Sequence, residues 1–211
     1  LMSIVIGSGV VQIQPEAFSG CPKLVEVINR SRLDIKKVTD PYDYDPTRLT
    51  SNAIEVHRGT SKIVNYDGYL FYTYNGVNYL LGYRGADTVL ILPEKYNGES
   101  YEIYKEAFRG RDDITGVTFS SGVSDIGEFA FSECNGLTSV SVPGFITEMN
   151  NGIFARCENL VSVTVEDSAT AICTQMFQYC FSLQSISIPE SVQRIAVLDR
   201  TKEMGSMGDP L

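Results

Sequence analysis

The stretch IGEFAFSECNGLTSVSVPGFITEM, residues 126–149, sets a pattern that the chain repeats every 23 residues. Four phenylalanines share this spacing: Phe108, Phe131, Phe154 and Phe177. Apolar residues stand five positions before each of them (Ile103, Ile126, Met149, Ile172) and six after (Ile114, Leu137, Leu160, Leu183). Others stand nine positions after (Val117, Val140, Val163, Ile186) and eleven after (Phe119, Val142, Val165, Ile188). Each unit thus contains an L-x-x-V-x-V core, whose two-residue alternation predicts a short strand with one face buried.

The same frame extends toward both ends of the chain. At the N-terminus it places Ile13, Phe18, Cys21, Leu24 and Val27, and one period earlier Ile4, Ile6 and Val10. Because the first residues fall inside a unit, we expect the chain to be part of a longer array. At the other end Val192 and Ile195 open a further unit, but Arg200 stands where the phenylalanine is due. The pattern predicts repeats over 1–28 and 88–195, an irregular segment with a hairpin over 29–87, and a tail or cap over 196–211.

A period of about 20 to 29 residues with this core is typical of leucine-rich repeats, in which each turn adds one strand to a parallel sheet. A single turn cannot bury its own apolar side, so the turns must stack. Neighbouring strands then lie about 4.8 Å apart. We therefore expect a repeat solenoid with a parallel sheet on one face and short helical or irregular returns.

Four cysteines share one position of the unit, three residues after the repeat phenylalanine. They are Cys21, Cys134, Cys157 and Cys180, and in the unit of Phe108 that position holds Arg111. Thiols repeated once per turn form a line, whereas zinc requires a tetrahedral cluster, so packing is the favoured interpretation. Disulfides between adjacent turns remain open, since the strand spacing falls within the usual Cα range. Cys173 lies off this line and is expected to be an accessible free thiol.

The unit resembles the BspA-like leucine-rich repeats, which follow the pattern I-x-x-x-A-F-x-x-C-x-x-L-x-x-I-x-I-P. The likeness covers 1–28 and 88–195, and residues 61–108 resemble the hairpin-bearing insert of these proteins. Three residues depart from the pattern: Arg111, Glu166 in place of the proline, and Asn29 at an inward position. The resemblance implies a secreted or cell-surface protein of host-associated bacteria, used for adhesion and protein binding, without catalysis or a cofactor. Its implied partner is a protein or glycan, such as host extracellular matrix.

Two Asx-Gly pairs in the irregular segment, Asp67-Gly68 and Asn75-Gly76, are typical of two-residue hairpin turns. The second turn predicts that Tyr74 faces Val77, Tyr72 faces Tyr79 and Leu70 faces Leu81. Two interpretations of the aromatic face stay open. It packs against the end of the repeat stack, or some tyrosines remain exposed as binding anchors, since aromatic residues dominate interface hot spots. The candidate anchors are Tyr69, Tyr72, Tyr74 and Tyr79.

Two further stretches carry side chains that could bind a metal ion or take part in catalysis. Asp40, Asp43 and Asp45 stand between two prolines, and carboxylates suit calcium, but the EF-hand spacing is missing. A solvated acidic loop is the favoured interpretation. His57 is the single histidine and follows a strand-like stretch, so we expect a structural or solvated role. Without a second histidine, catalytic triads and histidine metal clusters are hard to build, and no metal site is predicted.

Composition excludes several classes of function. The net charge is −9, and the 17 Lys and Arg residues are scattered, so nucleic acid is not an expected partner. No apolar run approaches the roughly 20 residues of a membrane helix. The start of the chain lacks the charged region and cleavage site of a signal peptide. The Gly7–Gly9 pair after a strand-like stretch lacks the third glycine of a dinucleotide-binding loop.

The side chains between the inward positions of each predicted strand are nearly all short hydroxyls. They are Thr115, Thr118, Thr138, Ser139, Ser141, Ser162, Thr164, Ser185 and Ser187. On a repeat stack they would line an extended open surface able to donate and accept hydrogen bonds. This favours a binding module. The alternatives are a structural spacer, on which Ser and Thr serve solubility alone, and an enzyme whose active site lies in a neighbouring domain.

Overall fold

The computed structural model describes residues 1–38, 42, 45–144, 148–167, 169, 171–192 and 194–195, and in this part all regular structure is β-strand. The predicted tail over 196–211 lies outside the described residues. The strands are, in chain order, β1 (Ser3–Ile6), β2 (Glu26–Asn29), β3 (Glu55–His57), β4 (Val64–Tyr66), β5 (Tyr69–Tyr74), β6 (Val77–Tyr83), β7 (Val89–Ile91), β8 (Tyr101–Ile103), β9 (Gly116–Thr118), β10 (Val123–Ile126), β11 (Ser139–Val142), β12 (Glu148–Met149), β13 (Ser162–Val165), β14 (Ala171–Ile172), β15 (Ser185–Ser187) and β16 (Arg194–Ile195).

The strands form a front and a back. The front consists of three parallel sheets with strand orders β1-β2-β3, β7-β9 and β11-β13-β15, each strand coming from the alternating part of one unit. The back consists of a six-stranded sheet, β12-β10-β8-β6-β5-β4, and the pair β14-β16. The predicted solenoid of parallel strands is confirmed. The back sheet was not predicted, because each unit offers its strand only two to four residues around a single apolar position.

Most turns keep the 23-residue period, but two are longer. Val140, Val163 and Ile186 are in register across β11, β13 and β15. In contrast, Val27 pairs with Val56, 29 residues later, and Leu90 pairs with Val117, 27 residues later. The repeat therefore continues through β3, inside the segment predicted to be irregular. The 23-residue frame misses this turn, because its longer spacing shifts the apolar pattern out of frame.

The returns, which lead from each back strand to the next front strand, are hydrogen-bonded turns, without a helix among the described residues. In the C-terminal part of the chain, each return holds two residues with positive φ at equivalent places of the unit. These are Glu106 and Gly110, Phe129 and Glu133, Gly152 and Arg156, and Gln175 and Tyr179. Neighbouring returns also bond to each other, as where the Phe131 amide donates to the Ile153 carbonyl at 2.9 Å. Stacking thus satisfies backbone groups that an isolated turn would leave open.

The repeat phenylalanines form a stack along the core. The ring centroids lie 4.7 Å apart for Phe108 and Phe131, 5.7 Å for Phe131 and Phe154, and 6.0 Å for Phe154 and Phe177. All four side chains are buried. The ladder predicted from the spacing is therefore the axis of the main hydrophobic core.

The hairpin of β5 and β6 has the two predicted turns. Asp67, Gly68, Asn75 and Gly76 all have positive φ, as the type I′ turn requires. The pairs Tyr74 with Val77 and Tyr72 with Tyr79 are confirmed, whereas Leu70 pairs with Gly82 and not with Leu81. A β-bulge after Leu80 causes this shift. It turns Tyr83 to the opposite face, where its ring packs 4.7 Å from that of Tyr69.

The hairpin lies between two repeat blocks, the N-terminal block (1–57) and the C-terminal block (88–195). One face of it, with Leu70, Tyr72 and Leu81, packs against Val25 of the N-terminal block. The other face belongs to the core of the C-terminal block and contributes Tyr69, Phe71, Leu80 and Tyr83. Strand β6 also pairs in parallel with β8, so the hairpin extends the back sheet. It therefore joins the two blocks.

Candidate binding face

The C-terminal block presents an open strand surface, here called the C-terminal face, made of the outward side chains of β7, β9, β11, β13 and β15. All nine predicted hydroxyl residues lie on it or at its margin. Thr115, Thr118, Thr138, Ser139, Thr164, Ser185 and Ser187 are exposed, and Ser141 and Ser162 are partly exposed. Their placement follows from strand register, since Ser139, Ser162 and Ser185 are aligned, as are Ser141, Thr164 and Ser187.

This face is uncharged and its hydroxyls are mostly free to interact with a partner. The Ser141 hydroxyl donates to Glu166 Oε1 at 2.8 Å, and the Thr115 hydroxyl donates to the Thr88 carbonyl at 3.3 Å. Because strands lie about 4.8 Å apart, the aligned hydroxyls form two regular rows across the sheet. Such rows can donate and accept hydrogen bonds over a long, shallow surface.

The corresponding surface of the N-terminal block, the N-terminal face, is covered over β2 and β3 by the chain itself, while Val5 of β1 stays exposed. Residues 58–62, here called the strap, cross it on the way to β4. Glu26 points outward from β2, yet its side chain is fully buried. Its carboxylate accepts hydrogen bonds from the Ser61 hydroxyl and from the Lys62 amide at 3.0 Å, and His57 Nε2 lies 3.2 Å from Oε2.

A second carboxylate, Glu55, holds the same end of the strap. It pairs with Lys62 Nζ at 2.7 Å and accepts a hydrogen bond from the Tyr72 hydroxyl at 2.7 Å. Burial favours the neutral form of Glu26 and Glu55, but the hydrogen bonds outweigh burial and hold the pKa of each carboxyl below its ordinary value. Both groups are therefore ionised at neutral pH and bind the strap as anions.

The Glu26 cluster contains a serine, a histidine and a carboxylate, but their order does not match a catalytic triad. Ser61 and His57 both contact the same Glu26 carboxylate. In a triad the histidine stands between the serine and the acid and removes the serine proton. Here the Ser61 hydroxyl is a donor to an anion. The structural role expected for His57 is confirmed, and sequence reasoning did not single out Glu26, because an outward glutamate on a strand is normally solvated.

The hairpin tyrosines do not form an exposed cluster. Tyr69 and Tyr72 are buried, and Tyr74 and Tyr79 are partly buried. The prediction of exposed binding anchors is therefore wrong for Tyr69 and Tyr72. The physical reason is that the hairpin has a repeat block on each side, so both of its faces are covered. The Tyr79 ring, for example, packs edge-on against Tyr104 with centroids 5.8 Å apart.

All five cysteines are free thiols, and the aligned ones are structural. The thiols of Cys134, Cys157 and Cys180 each donate to the carbonyl of the repeat phenylalanine one turn earlier, at 3.1 to 3.2 Å. Burial raises the pKa of Cys134 to about 12 and that of Cys180 to about 11. Cys173 is not the accessible thiol that was predicted. It is half-buried and donates to the Asn150 carbonyl at 2.8 Å, and burial raises its pKa to about 11.

The three departures from the repeat pattern have local explanations. Arg111 replaces the aligned cysteine and serves the same purpose, donating to the Tyr83 carbonyl at the end of β6 at 2.7 Å. Asn29 accepts from the Ser31 hydroxyl at 2.7 Å and donates to the Leu33 carbonyl at 2.9 Å, so it fixes the turn after β2. Glu166, in place of proline, accepts the Ser141 hydroxyl bond.

The structure describes only part of the acidic loop. Asp40 and Asp43 lie outside the described residues. Asp45 is not simply solvated, because its carboxylate accepts bonds from the hydroxyls of Thr47 at 2.6 Å and Thr50 at 2.9 Å and from both of their amides. These donors lower the pKa of Asp45 despite its partial burial. They occupy oxygens that a calcium ion would require.

A stack of short turns with an extended strand surface defines a repeat protein of the leucine-rich class. The chain belongs to the BspA type of this class, since the family model of the BspA type leucine-rich repeat region matches it in 6 copies over residues 1–42 and 98–197. A comparison with curated proteins found no match.

Solved structures are similar in fold. A leucine-rich cell surface protein from Faecalibacterium prausnitzii has a TM-score of 0.50 and 20% identity, over 89% of this chain and 59% of that chain. A leucine-rich repeat protein from Bacteroides capillosus has a TM-score of 0.45 and 24% identity, over 64% and 98%. The pneumococcal vaccine antigen PcpA has a TM-score of 0.42 and 16% identity, over 92% and 62%. The chain thus spans less than two thirds of the first of these proteins.

Within the residues that the structure describes, no helix has the length and apolar character needed to cross a membrane.

Proposed function

We propose that this chain is a non-catalytic binding module of a secreted or cell-surface bacterial protein, and that it adheres to host proteins or surface polymers through the C-terminal face. The observation that carries the proposal is the contrast between the two faces. The N-terminal face is closed by the strap on buried Glu26, while the C-terminal face keeps uncharged hydroxyls exposed in register.

Affinity on this surface would come from many weak contacts spread over a large area. A single neutral hydrogen bond contributes only about 0.5 to 1.5 kcal/mol, so useful affinity requires many aligned contacts. The stacked phenylalanines and the bonds between neighbouring returns hold the strands in fixed positions. A surface that is already ordered loses little conformational entropy on binding. Short Ser and Thr side chains also have few rotamers to lose.

The groups that would support catalysis are engaged elsewhere. Ser61 and His57 both bind the Glu26 carboxylate, and the aligned thiols have raised pKa values, which keeps them protonated and weakly nucleophilic at neutral pH. These features support binding over chemistry. The surface location is supported by the family of the chain and by its likeness to the Faecalibacterium protein, which is a cell surface protein.

The test is binding of the purified chain to immobilised host matrix proteins and glycans, beside a variant carrying Thr118→Lys, Ser141→Lys, Thr164→Lys and Ser187→Lys. All four positions face outward, so the variant should fold, and its melting temperature is measured beside that of the wild type because the aligned lysines repel one another. Saturable binding that the variant loses is the expected result. Equal binding by both proteins would move the site off the C-terminal face.

A structural spacer is the second candidate, favoured by the continuous phenylalanine stack and the hydrogen-bonded returns, which make a stiff rod. The same panel separates the two. If the wild-type chain binds nothing on the panel at high micromolar concentration, the result would support the structural spacer.

A further inference from the structure

The C-terminal face changes character at its first strand. Outward positions on β9, β11, β13 and β15 are glycine, serine or threonine. On β7 they are Val89 and Ile91, whose side chains are 55% and 72% exposed. Val89 aligns with Gly116 and Ile91 aligns with Thr118. Two apolar side chains therefore stand side by side in solvent where the rest of the face is polar or bare.

Strand β7 is also an edge. It pairs with β9 on one side, and within the described residues no strand pairs with the other side. The back sheet extends further than the front sheet on this side, because it continues from β8 through β6, β5 and β4. On the side that faces the hairpin, the turn that contributes β7 and β8 thus has a neighbour in the back sheet and, among the described residues, none in the front sheet. One strand position is open beside β7.

The backbone of β7 presents hydrogen-bonding groups toward this open position. Leu90 is in register with Val117, and the Leu92 amide donates to the Thr118 carbonyl at 3.0 Å. Since successive residues of a strand direct their backbone groups to opposite edges, those of Val89 and Ile91 point away from β9. The Ile91 carbonyl accepts the Tyr69 hydroxyl at 2.7 Å. The amides of both residues and the Val89 carbonyl remain available along the edge.

An apolar surface also lies close to this edge on the hairpin side. Tyr69 links β5 to Ile91 and pairs across strands with Tyr66 of β4. The Tyr66 ring packs edge-on against buried Tyr96 with centroids 5.7 Å apart, yet Tyr66 is 43% exposed. A strand added to β7 would meet Val89 and Ile91 on its outward side and the Tyr66 region on its inward side.

We propose that β7 is an acceptor edge for an extended, apolar segment of a partner polypeptide, which adds to the front sheet as a strand. Main-chain hydrogen bonds to Val89 and Ile91 would give affinity, and side chains beside the two apolar residues would give specificity. The inference rests on the proposed function and narrows it, because an edge of amides and carbonyls beside aliphatic side chains recognises a polypeptide and not a glycan. A slender segment, and not a second copy of this chain, fits a single open strand position under the overhanging back sheet.

The experiment is selection of a displayed library of random dodecapeptides on the immobilised chain, followed by affinity measurement with the enriched peptides. Variants are Ile91→Lys, which places a charge beside the edge at an exposed position, and Val11→Lys, which places the same charge at an exposed apolar residue of the N-terminal block and serves as the matched control. Melting temperatures of both variants should equal that of the wild type. We expect enriched peptides with alternating apolar residues, about tenfold or more weaker binding to Ile91→Lys, and no change for Val11→Lys. Hydrogen exchange at the Val89 and Ile91 amides should slow when the peptide is bound.

Three outcomes would overturn the inference: no enrichment above the bare support, equal affinity for wild type and Ile91→Lys, or unchanged exchange at the β7 amides. Dimers of the free chain that disappear in Ile91→Lys would also overturn it, because the occupant would then be a second copy. The proposed function is tested separately. If the matrix panel binds wild type and Ile91→Lys equally but not the fourfold lysine variant, the binding face stands and the acceptor edge fails.

Discussion

At the scale of single residues, two kinds of position determine how well each turn stacks on the next. The repeat phenylalanines bury large rings in contact with one another, and the positive-φ residues reverse the chain in every return. The first kind was predictable, because a large apolar residue at a fixed spacing has one plausible place in a stack. The second was not, since Glu133, Arg156 and Tyr179 are residue types that rarely adopt this conformation.

Phe131 stacks between two other phenylalanines, so Phe131→Ala should destabilise the chain strongly. The lost burial and the cavity left behind should lower the free energy of unfolding by about 3 to 5 kcal/mol, measured by urea denaturation. Phe181, which is 76% exposed, supplies the control. Phe181→Ala should change the free energy by no more than about 0.5 kcal/mol. Similar losses in both variants would show that the ring stack is not the main core.

At the scale of elements, the hairpin has a different role from the one that its sequence favours. Its turns and most of its register were predictable from the Asx-Gly pairs, because few residue pairs accept positive φ at both places. Its position between two blocks was not. That position depends on contacts such as Leu70 and Tyr72 with Val25, which are distant in sequence. The bulge after Leu80, likewise, has no signal in the alternation of apolar residues.

The Tyr72 hydroxyl connects the hairpin to the N-terminal block through Glu55. Tyr72→Phe removes this bond to an ionised group and should lower the free energy of unfolding by about 1.5 to 3 kcal/mol. Hydrogen exchange should become faster in β3 and the strap than in the C-terminal block. Tyr74→Phe, on the partly buried tip of the same strand, is the matched control and should change little. An equal effect of both substitutions would contradict a specific role for the Tyr72 bond.

Two acidic side chains of the back sheet lie on adjacent strands and repel one another. Glu102 is aligned with Asp125 on the adjacent strand, and partial burial followed by the charge of Asp125 raises the pKa of Glu102. A carboxyl whose pKa is raised by folding stabilises the protein only at low pH, and this stabilisation is lost as pH rises through the raised pKa. At neutral pH the ionised Glu102 therefore costs stability.

Glu102→Gln should accordingly raise the melting temperature at pH 7. The advantage over wild type should shrink as pH falls and vanish below the ordinary glutamate pKa of about 4.3. Thermal unfolding from pH 3 to pH 8 measures this directly. An advantage that is independent of pH would mean that the charge of Glu102 is not the cause.

At the scale of the whole molecule, the two blocks share one architecture, but their strand faces differ in charge and in exposure. The N-terminal face bears Glu26 and Glu55 and is covered by a strap that carries Lys62. The C-terminal face bears hydroxyls and is open, apart from the bonds of Ser141 to Glu166 and of Thr115 to Thr88. The sequence predicted the open face from the period alone. It did not predict the closed one, because the strap is brought over Glu26 by folding of residues more than 30 positions away.

The most direct test of this account compares the affinity of one bound matrix protein or glycan for two single variants. Thr164→Lys alters the C-terminal face, and Val5→Lys places the same charge at an exposed outward position of β1 on the N-terminal face. We expect Thr164→Lys to weaken binding about tenfold or more and Val5→Lys to leave it unchanged, with both melting temperatures preserved. Loss of binding in Val5→Lys alone, or in neither variant, would contradict the assignment of binding to the C-terminal face.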